Sequence, residues 1–171
     1  MGSKIMNEEL KEVFEKQQKK KTQGEDNTFY DDTLQAISFM VGSEEFAVPI
    51  LNVKEIIKPM EYTRVPGTPN YVMGVFNLRG GVFPLINLRL KFGLSAIKQD
   101  QDTRYLVVTY KDEVAGFVID KLNEAVRINQ SDIDPVPETI GEGENFMQGI
   151  GKREDRLITI LRVENLLKKA F

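Results

Sequence analysis

From Leu34 onward the chain alternates short apolar runs with turn residues, and each run has the length of a strand. Tyr71 to Phe76, Val82 to Leu88, Tyr105 to Thr109 and Phe117 to Ile119 are such runs. Gly42-Ser43, Pro66-Gly67, Gly80-Gly81 and Lys111-Asp112-Glu113 punctuate the pattern. It predicts a mainly β protein of small barrels or a sandwich. Val163 to Phe171 instead places Leu166, Leu167 and Phe171 on one helical face with lysines in the last turns, as the helix dipole favours. A further short helix or turn is expected at Asn52 to Ile57. Before Leu34 the pattern is lost: Met1 to Asp32 is rich in lysine and glutamate and reads as a flexible charged arm. Within it Leu10, Val13, Phe14 and Gln17 keep the spacing of a weak amphipathic helix.

Between two of the apolar runs lies one charged loop, Asn77-Leu78-Arg79-Gly80-Gly81. Its flanks are β-branched and aromatic, and its paired glycines permit the positive φ of a tight connection. The segment predicts a rigid hairpin with Arg79 at its tip.

Laid on itself with an offset of 69, the chain matches Glu44 with Glu113, Ile50 with Ile119, Val53 with Leu122, Glu55 with Glu124 and Ile57 with Val126. The offset then drifts to 75, matching Tyr71 with Phe146, Gly74 with Gly149, and Val82 to Leu88 with Leu157 to Val163. Two similar β lobes follow, at about 34–100 and 101–167. Where the first has Arg79-Gly80-Gly81, the second has Glu154-Asp155-Arg156. The arginine tip therefore reads as a property of one lobe and not of the repeated scaffold.

Composition narrows the chemistry. Among 171 residues there is no Cys and no His, which removes the cysteine nucleophile, the usual neutral-pH base and the imidazole metal ligands together. The absence of cysteine fits a reducing cytoplasm. A net charge of -3 argues against nucleic-acid binding, and the one basic cluster, Lys16 to Lys21, lies in the glutamate-rich arm. No apolar run approaches membrane-spanning length, so no direct membrane insertion is expected. Asn129-Gln130-Ser131 reads as a surface turn. No cofactor is called for.

Three separated elements, in order, carry a resemblance. They are EEFAVPILNVKEI from Glu44 to Ile56, RVPGTPNYVMGVFNLRGGVFPLINLRLKFGL from Arg64 to Leu94, and GFVIDKLNEAV from Gly116 to Val126. Over about Leu34 to Leu167 the chain resembles the CheW family of bacterial chemotaxis coupling proteins. The resemblance implies two SH3-like five-stranded β-barrel subdomains around a shared core, with a C-terminal helix, and a domain covering 33–171. It implies a non-catalytic cytoplasmic adaptor that joins the cytoplasmic tip of a chemoreceptor to the regulatory domain of the histidine kinase CheA, in arrays reached through protein contacts.

By motif, the resemblance places Val53 and Arg79 on the receptor-binding surface, with Asn77, Leu78 and Gly80 beside them. Leu122, the repeat mate of Val53, is assigned to the same groove. Val53, Ile56 and Ile57 form an apolar edge whose residues, in a small barrel, usually belong to the core, so only the resemblance puts Val53 at the interface, and Glu55 either orients Arg79 or meets a lysine on a partner. A guanidinium beside an apolar groove suits such a role, because it bonds carbonyls or carboxylates while its stem packs on methyl groups. Glu44, Glu45, Lys58 and Tyr62 are the candidate kinase contacts, chosen because exposed strand edges invite a homologous barrel.

Two other readings stand beside this one. The same fold occurs as a regulatory part of CheA and of CheV proteins, although no ATP-binding or receiver pattern accompanies it here. A small nucleotide-binding enzyme is suggested by Gly141-Glu142-Gly143 through Gly149-Ile150-Gly151. The spacing is not that of a phosphate-binding loop, and Glu142 and Glu144 would repel phosphate. Turn chemistry accounts for Asp132 and Asp134 beside Pro135.

Overall fold

The runs that are apolar at consecutive positions become strands buried on both faces. In the strand Thr33–Val41 (β1), Ile37, Phe39 and Val41 point to one core and Ala36 to another. In Arg104–Tyr110 (β6), Leu106 and Val108 face the first of these cores, while Tyr105 and Val107 face a third. The computed structural model describes residues 32–136 and 146–167. The arm at 1–31 with its amphipathic spacing, the Gly141 to Gly143 segment and the end of the expected C-terminal helix lie outside the described residues.

The remaining strands are Glu44–Pro49 (β2), Val53–Ile57 (β3), Val72–Leu78 (β4), Gly81–Asn87 (β5), Glu113–Ile119 (β7), Lys121–Asn129 (β8), Ile133–Asp134 (β9), Met147–Arg153 (β10) and Arg156–Leu161 (β11). Short helices follow at Leu88–Lys91 (α1) and Val163–Leu167 (α2). One sheet has the order β8-β1-β2-β11-β10-β9 and the other β3-β6-β7-β5-β4. Each curls on itself. Arg153 Nη1 donates to the Arg127 carbonyl at 3.1 Å across the seam between β10 and β8, and Arg79 reaches Glu55 across the seam of the other barrel.

The internal repeat holds at the level of register. Ala47 pairs with Ile160 as Gly116 pairs with Leu85, and Ile150 with Thr159 as Val75 with Pro84. Both members of each bulge recur as well: one skips Asn123 between β8 and β1, the other Lys54 between β3 and β6. Even β9, absent from the five-stranded sheet, has its counterpart in the single bridge from Thr63 to Val75.

The lobes themselves are not the consecutive halves 34–100 and 101–167. Strands β1 and β2 of the first repeat close a barrel with β8 to β11 of the second, and β6 and β7 of the second close one with β3 to β5 of the first. The repeats exchange their first two strands. One barrel is therefore continuous in sequence, from β3 to β7, and the other is built from both ends of the described chain.

The exchange places β1, β2, β6 and β7 side by side at the centre. Phe39, Phe46, Leu106 and Phe117 meet there, with Val163 and Leu166 of α2 packed on them. Each such fully buried side chain contributes about 2 kcal/mol by removal from water. The short helix or turn expected at Asn52 to Ile57 is corrected in its extent. A 3-10 turn covers Ile50–Asn52, and Val53–Ile57 is a strand, because its β-branched residues pair with Tyr105 to Val108 of β6.

Candidate functional site

The hairpin joining β4 and β5 closes on the pair Leu78 and Gly81, leaving a two-residue turn of Arg79 and Gly80. Both turn residues are left-handed, with φ of 51° and 83°. That is the backbone of a type I′ turn, whose twist matches that of the strands. Gly80 supplies the second left-handed position at little cost, while Gly81 is needed for room: a Cβ there would lie 2.5 Å from Phe83 Cζ.

The Arg79 side chain is 76% exposed and nevertheless fixed. Its Nε donates to Glu55 Oε2 at 3.1 Å and its Nη2 to Glu55 Oε1 at 3.2 Å, a fork on a carboxylate carried by β3. These bonds, and then the charge of Glu55, raise the guanidinium pKa above its ordinary value against a small desolvation cost. Two of its five N–H groups are used, so three are left for a partner. Beside it, the Lys54 ammonium sits 5.7 Å from the centre of the Phe83 ring, and Val82 is 64% exposed. Val82, opposite Asn77 in the register, thus joins the exposed face of the hairpin without having been singled out in the sequence, while Phe83 packs on the third core.

The second barrel carries a related contact, which corrects the reading that the arginine belongs to one lobe alone. Arg156 Nη2 donates to Glu124 Oε1 at 2.6 Å, and Glu124 is the repeat mate of Glu55. The arginine comes from the strand, two residues beyond the position equivalent to Arg79. It also reaches Glu45 Oε1 at 3.5 Å, and Glu45 Oε2 accepts from Asn123 Nδ2 at 3.0 Å. An arginine bonded to the same carboxylate position is common to both barrels. A guanidinium standing largely in solvent, 76% against 35% exposed, distinguishes the first.

The structure brings together Asn77, Leu78, Arg79, Gly80 and Glu55, with Asn77 exposed and Leu78 half-buried. Val53 is corrected: it is 1% exposed and lies in the central core, because β3 turns that face inward against β6. Ile56 and Leu122 are half-buried against the same core. Among the kinase candidates, Glu44, Lys58 and Tyr62 are exposed, but Glu44 stands on one sheet while the other two follow β3 of the other. Glu45 is corrected as well, since its side chain is 8% exposed and held by Arg156 and Asn123.

No group of acidic residues among the described residues is arranged to hold a metal ion, and Asp134 is engaged by Lys152 Nζ at 2.9 Å. Gly149 and Gly151 lie within β10, where added Cβ atoms would each come within 2.8 Å of an isoleucine, so they serve packing and not phosphate binding. No helix among the described residues is long and apolar enough to cross a membrane.

Two exchanged β-barrels and an exposed, pre-positioned arginine define a protein-recognition scaffold. The family model for the CheW-like domain matches residues 35–171, and the chain belongs to the CheW family. It is 61% identical to the chemotaxis protein CheW of Helicobacter pylori, over 97% of this chain and 100% of that one. To the chemotaxis protein CheW of Bacillus subtilis it is 35% identical, over 78% of this chain and 86% of the other. The crystal structure of the scaffolding protein TtCheW from Thermoanaerobacter tengcongensis superimposes with a TM-score of 0.70 at 30% identity, covering 75% of this chain and 88% of that one. The family is one of non-catalytic chemotaxis scaffolds, and the chain is a chemotaxis adaptor and not an enzyme.

Proposed function

We propose that the chain couples the cytoplasmic tips of chemoreceptors to the regulatory domain of the histidine kinase CheA. The observation that carries this reading is the exposed Arg79 guanidinium, held by Glu55 at the tip of a tight hairpin with three donors unused. A side chain held in its binding geometry loses little entropy on association. The receptor surface consists of Asn77, Leu78, Arg79 and Gly80, with Glu55 as the orienting residue and Leu122 and Ile56 at its apolar margin. Glu44 on one barrel, and Lys58 and Tyr62 on the other, are the residues assigned to kinase contact. The protein acts in the cytoplasm and is held at receptor arrays by protein contacts alone.

The test is reconstitution: the chain, a receptor cytoplasmic fragment and CheA are mixed and sedimented. Receptor and kinase co-sediment only when the chain is present. Co-sedimentation without it contradicts the proposal.

A further inference from the structure

The strand exchange joins the first barrel, β3 to β7, to the second at two crossings, β2 to β3 and β7 to β8, and through the central core. Apolar contact is non-directional and holds the barrels together, whereas hydrogen bonds have preferred lines and set an angle. The two crossings differ in such bonds. Asp120 is the one residue between β7 and β8. Its amide donates to the Met40 carbonyl at 3.1 Å and its Oδ2 accepts from the Gly42 amide at 2.7 Å, both on the β1–β2 hairpin of the second barrel. The same Oδ2 accepts from Arg89 Nη1 on α1, which follows β5 of the first barrel, and Arg89 Nε donates to the Ser95 carbonyl at 2.8 Å. The two charged side chains are only 18% and 19% exposed. At the other crossing the repeat mate of Asp120 is Leu51, uncharged and 51% exposed. The mate of Arg89 is Glu164, whose carboxylate accepts from the Tyr110 hydroxyl. A charged clasp therefore stands at one crossing and not at its mate.

Helix α1 extends the clasp on its other side. Lys91 Nζ lies 3.9 Å from the centre of the Tyr71 ring and 5.7 Å from that of Phe146. The Phe92 ring stands 4.8 Å from that of Phe46 and 5.7 Å from that of Phe146. Tyr71 belongs to the first barrel, Phe46 and Phe146 to the second. Tyr71 immediately precedes β4, and its carbonyl accepts from the amide of Asn87, the last residue of β5. The hairpin that carries Arg79 at its tip thus has, at its base, the contacts by which the first barrel grips the second. Strands of seven residues, about 23 Å, separate tip from base.

We infer that Arg89 and Asp120 are positioning residues of the adaptor: their ion pair fixes the angle between the barrels, and with it the relative orientation of partners held on the two of them. A charge-assisted bond shielded from water suits this task, because it is short and directional and little screened by salt. The effect on partners rests on the coupling role proposed above, whereas the fixed angle does not.

The test measures residual dipolar couplings of the backbone amides in the full chain, beside receptor-dependent CheA activity in the reconstituted mixture. In the unmodified chain the couplings of both barrels fit one alignment tensor. Asp120→Asn keeps an acceptor for the Gly42 amide and removes the charge that Arg89 faces. Each barrel should then fit its own tensor as well as before, and the two tensors should differ. Arg89→Gln should do the same, Arg89→Lys should restore the common tensor, and Glu164→Gln at the other crossing should leave it unchanged. Asp120→Asn should lower receptor-dependent kinase activity at least about fivefold while the affinities for the receptor fragment and for CheA are retained. Should Asp120→Asn fail to fold, Arg89→Gln, in which the Gly42 amide keeps its carboxylate, carries the test. One shared tensor in the folded clasp variants overturns the inference, as does equal release by Glu164→Gln. Activity that falls only in step with both affinities overturns the positioning role, since plain destabilisation accounts for it, and so does full activity with released barrels. Receptor-dependent activity absent from the unmodified mixture is instead a failure of the coupling role, and the couplings, which need no partner, still decide the clasp.

Discussion

Arg79 and Glu55 form a two-bonded ion pair that ties the tip of the β4–β5 hairpin to strand β3 across the seam of one barrel. In the other barrel Arg156 bonds Glu124, the repeat mate of Glu55. The pairing is part of the scaffold: one barrel carries its arginine in the turn and the other two residues further on, in the strand. Glu55 is mostly shielded while Arg79 is mostly in solvent, so the acid acts as a fixed anchor and the base as the presented group.

Glu55→Gln keeps the shape of the anchor and removes its charge. The fold should survive with its melting temperature nearly unchanged, because exposed ion pairs contribute little to stability. Receptor-tip affinity should fall by roughly three- to tenfold, since Arg79 must then be ordered on binding. Calorimetric titration beside a thermal melt separates the two effects.

Gly80→Ala tests the turn. A Cβ there meets nothing within 4 Å, so the whole cost is that of a left-handed backbone at φ 83°. A loss of about 1 kcal/mol is expected in urea unfolding. Gly81→Ala should act by another route, through displacement of the Phe83 ring, and so should also perturb the ring resonances of Phe76, whose centroid is 6.3 Å away.

Val53→Ala decides between core and contact. Its burial in the central cluster predicts a stability loss of roughly 2 kcal/mol, with receptor affinity unchanged per folded molecule. A loss of affinity at full stability would return Val53 to the binding surface.

The strands and the repeat were legible in the sequence because burial on one or both faces leaves a period that needs no partner to be read. The exchange of β1 and β2 between repeats was not legible, since two barrels with equivalent positions offer each strand two equally suitable neighbours. Helix α1 escaped notice within the apolar run ending at Leu88. Its signal was Asn87, whose Oδ1 accepts from the Leu90 amide as an N-cap. The Arg79 tip was readable from Arg-Gly between strands, and its anchor only in part, because Glu55 lies 24 residues away. Val53 was misplaced by the family resemblance and not by its apolar pattern, since such a residue in a small barrel usually belongs to the core, where it lies. The Arg156 pairing was hidden by its shift of two positions from the repeat.

Stability should be nearly flat between about pH 6 and 9, since the chain has no His and no Cys to titrate there. Burial raises the Tyr105 pKa above 10.0, and the Asp134 partner raises that of Lys152 above 10.5. In both cases the folded value exceeds the unfolded one, so the contribution is complete below the unfolded value and is lost as pH rises through the folded value. Urea midpoints should hold through neutrality and decline only above about pH 10. A decline centred near pH 7 would contradict this.

The central claim is that Arg79 is a receptor contact on an adaptor whose kinase surface lies elsewhere. It is tested most directly by measuring, in parallel, the affinity of Arg79→Glu for a receptor cytoplasmic fragment and for CheA. Charge reversal at an interface anchor should weaken receptor binding about thirtyfold or more, with CheA affinity and melting temperature retained. Unchanged receptor affinity in a folded variant, or equal loss of both partners, would contradict the account.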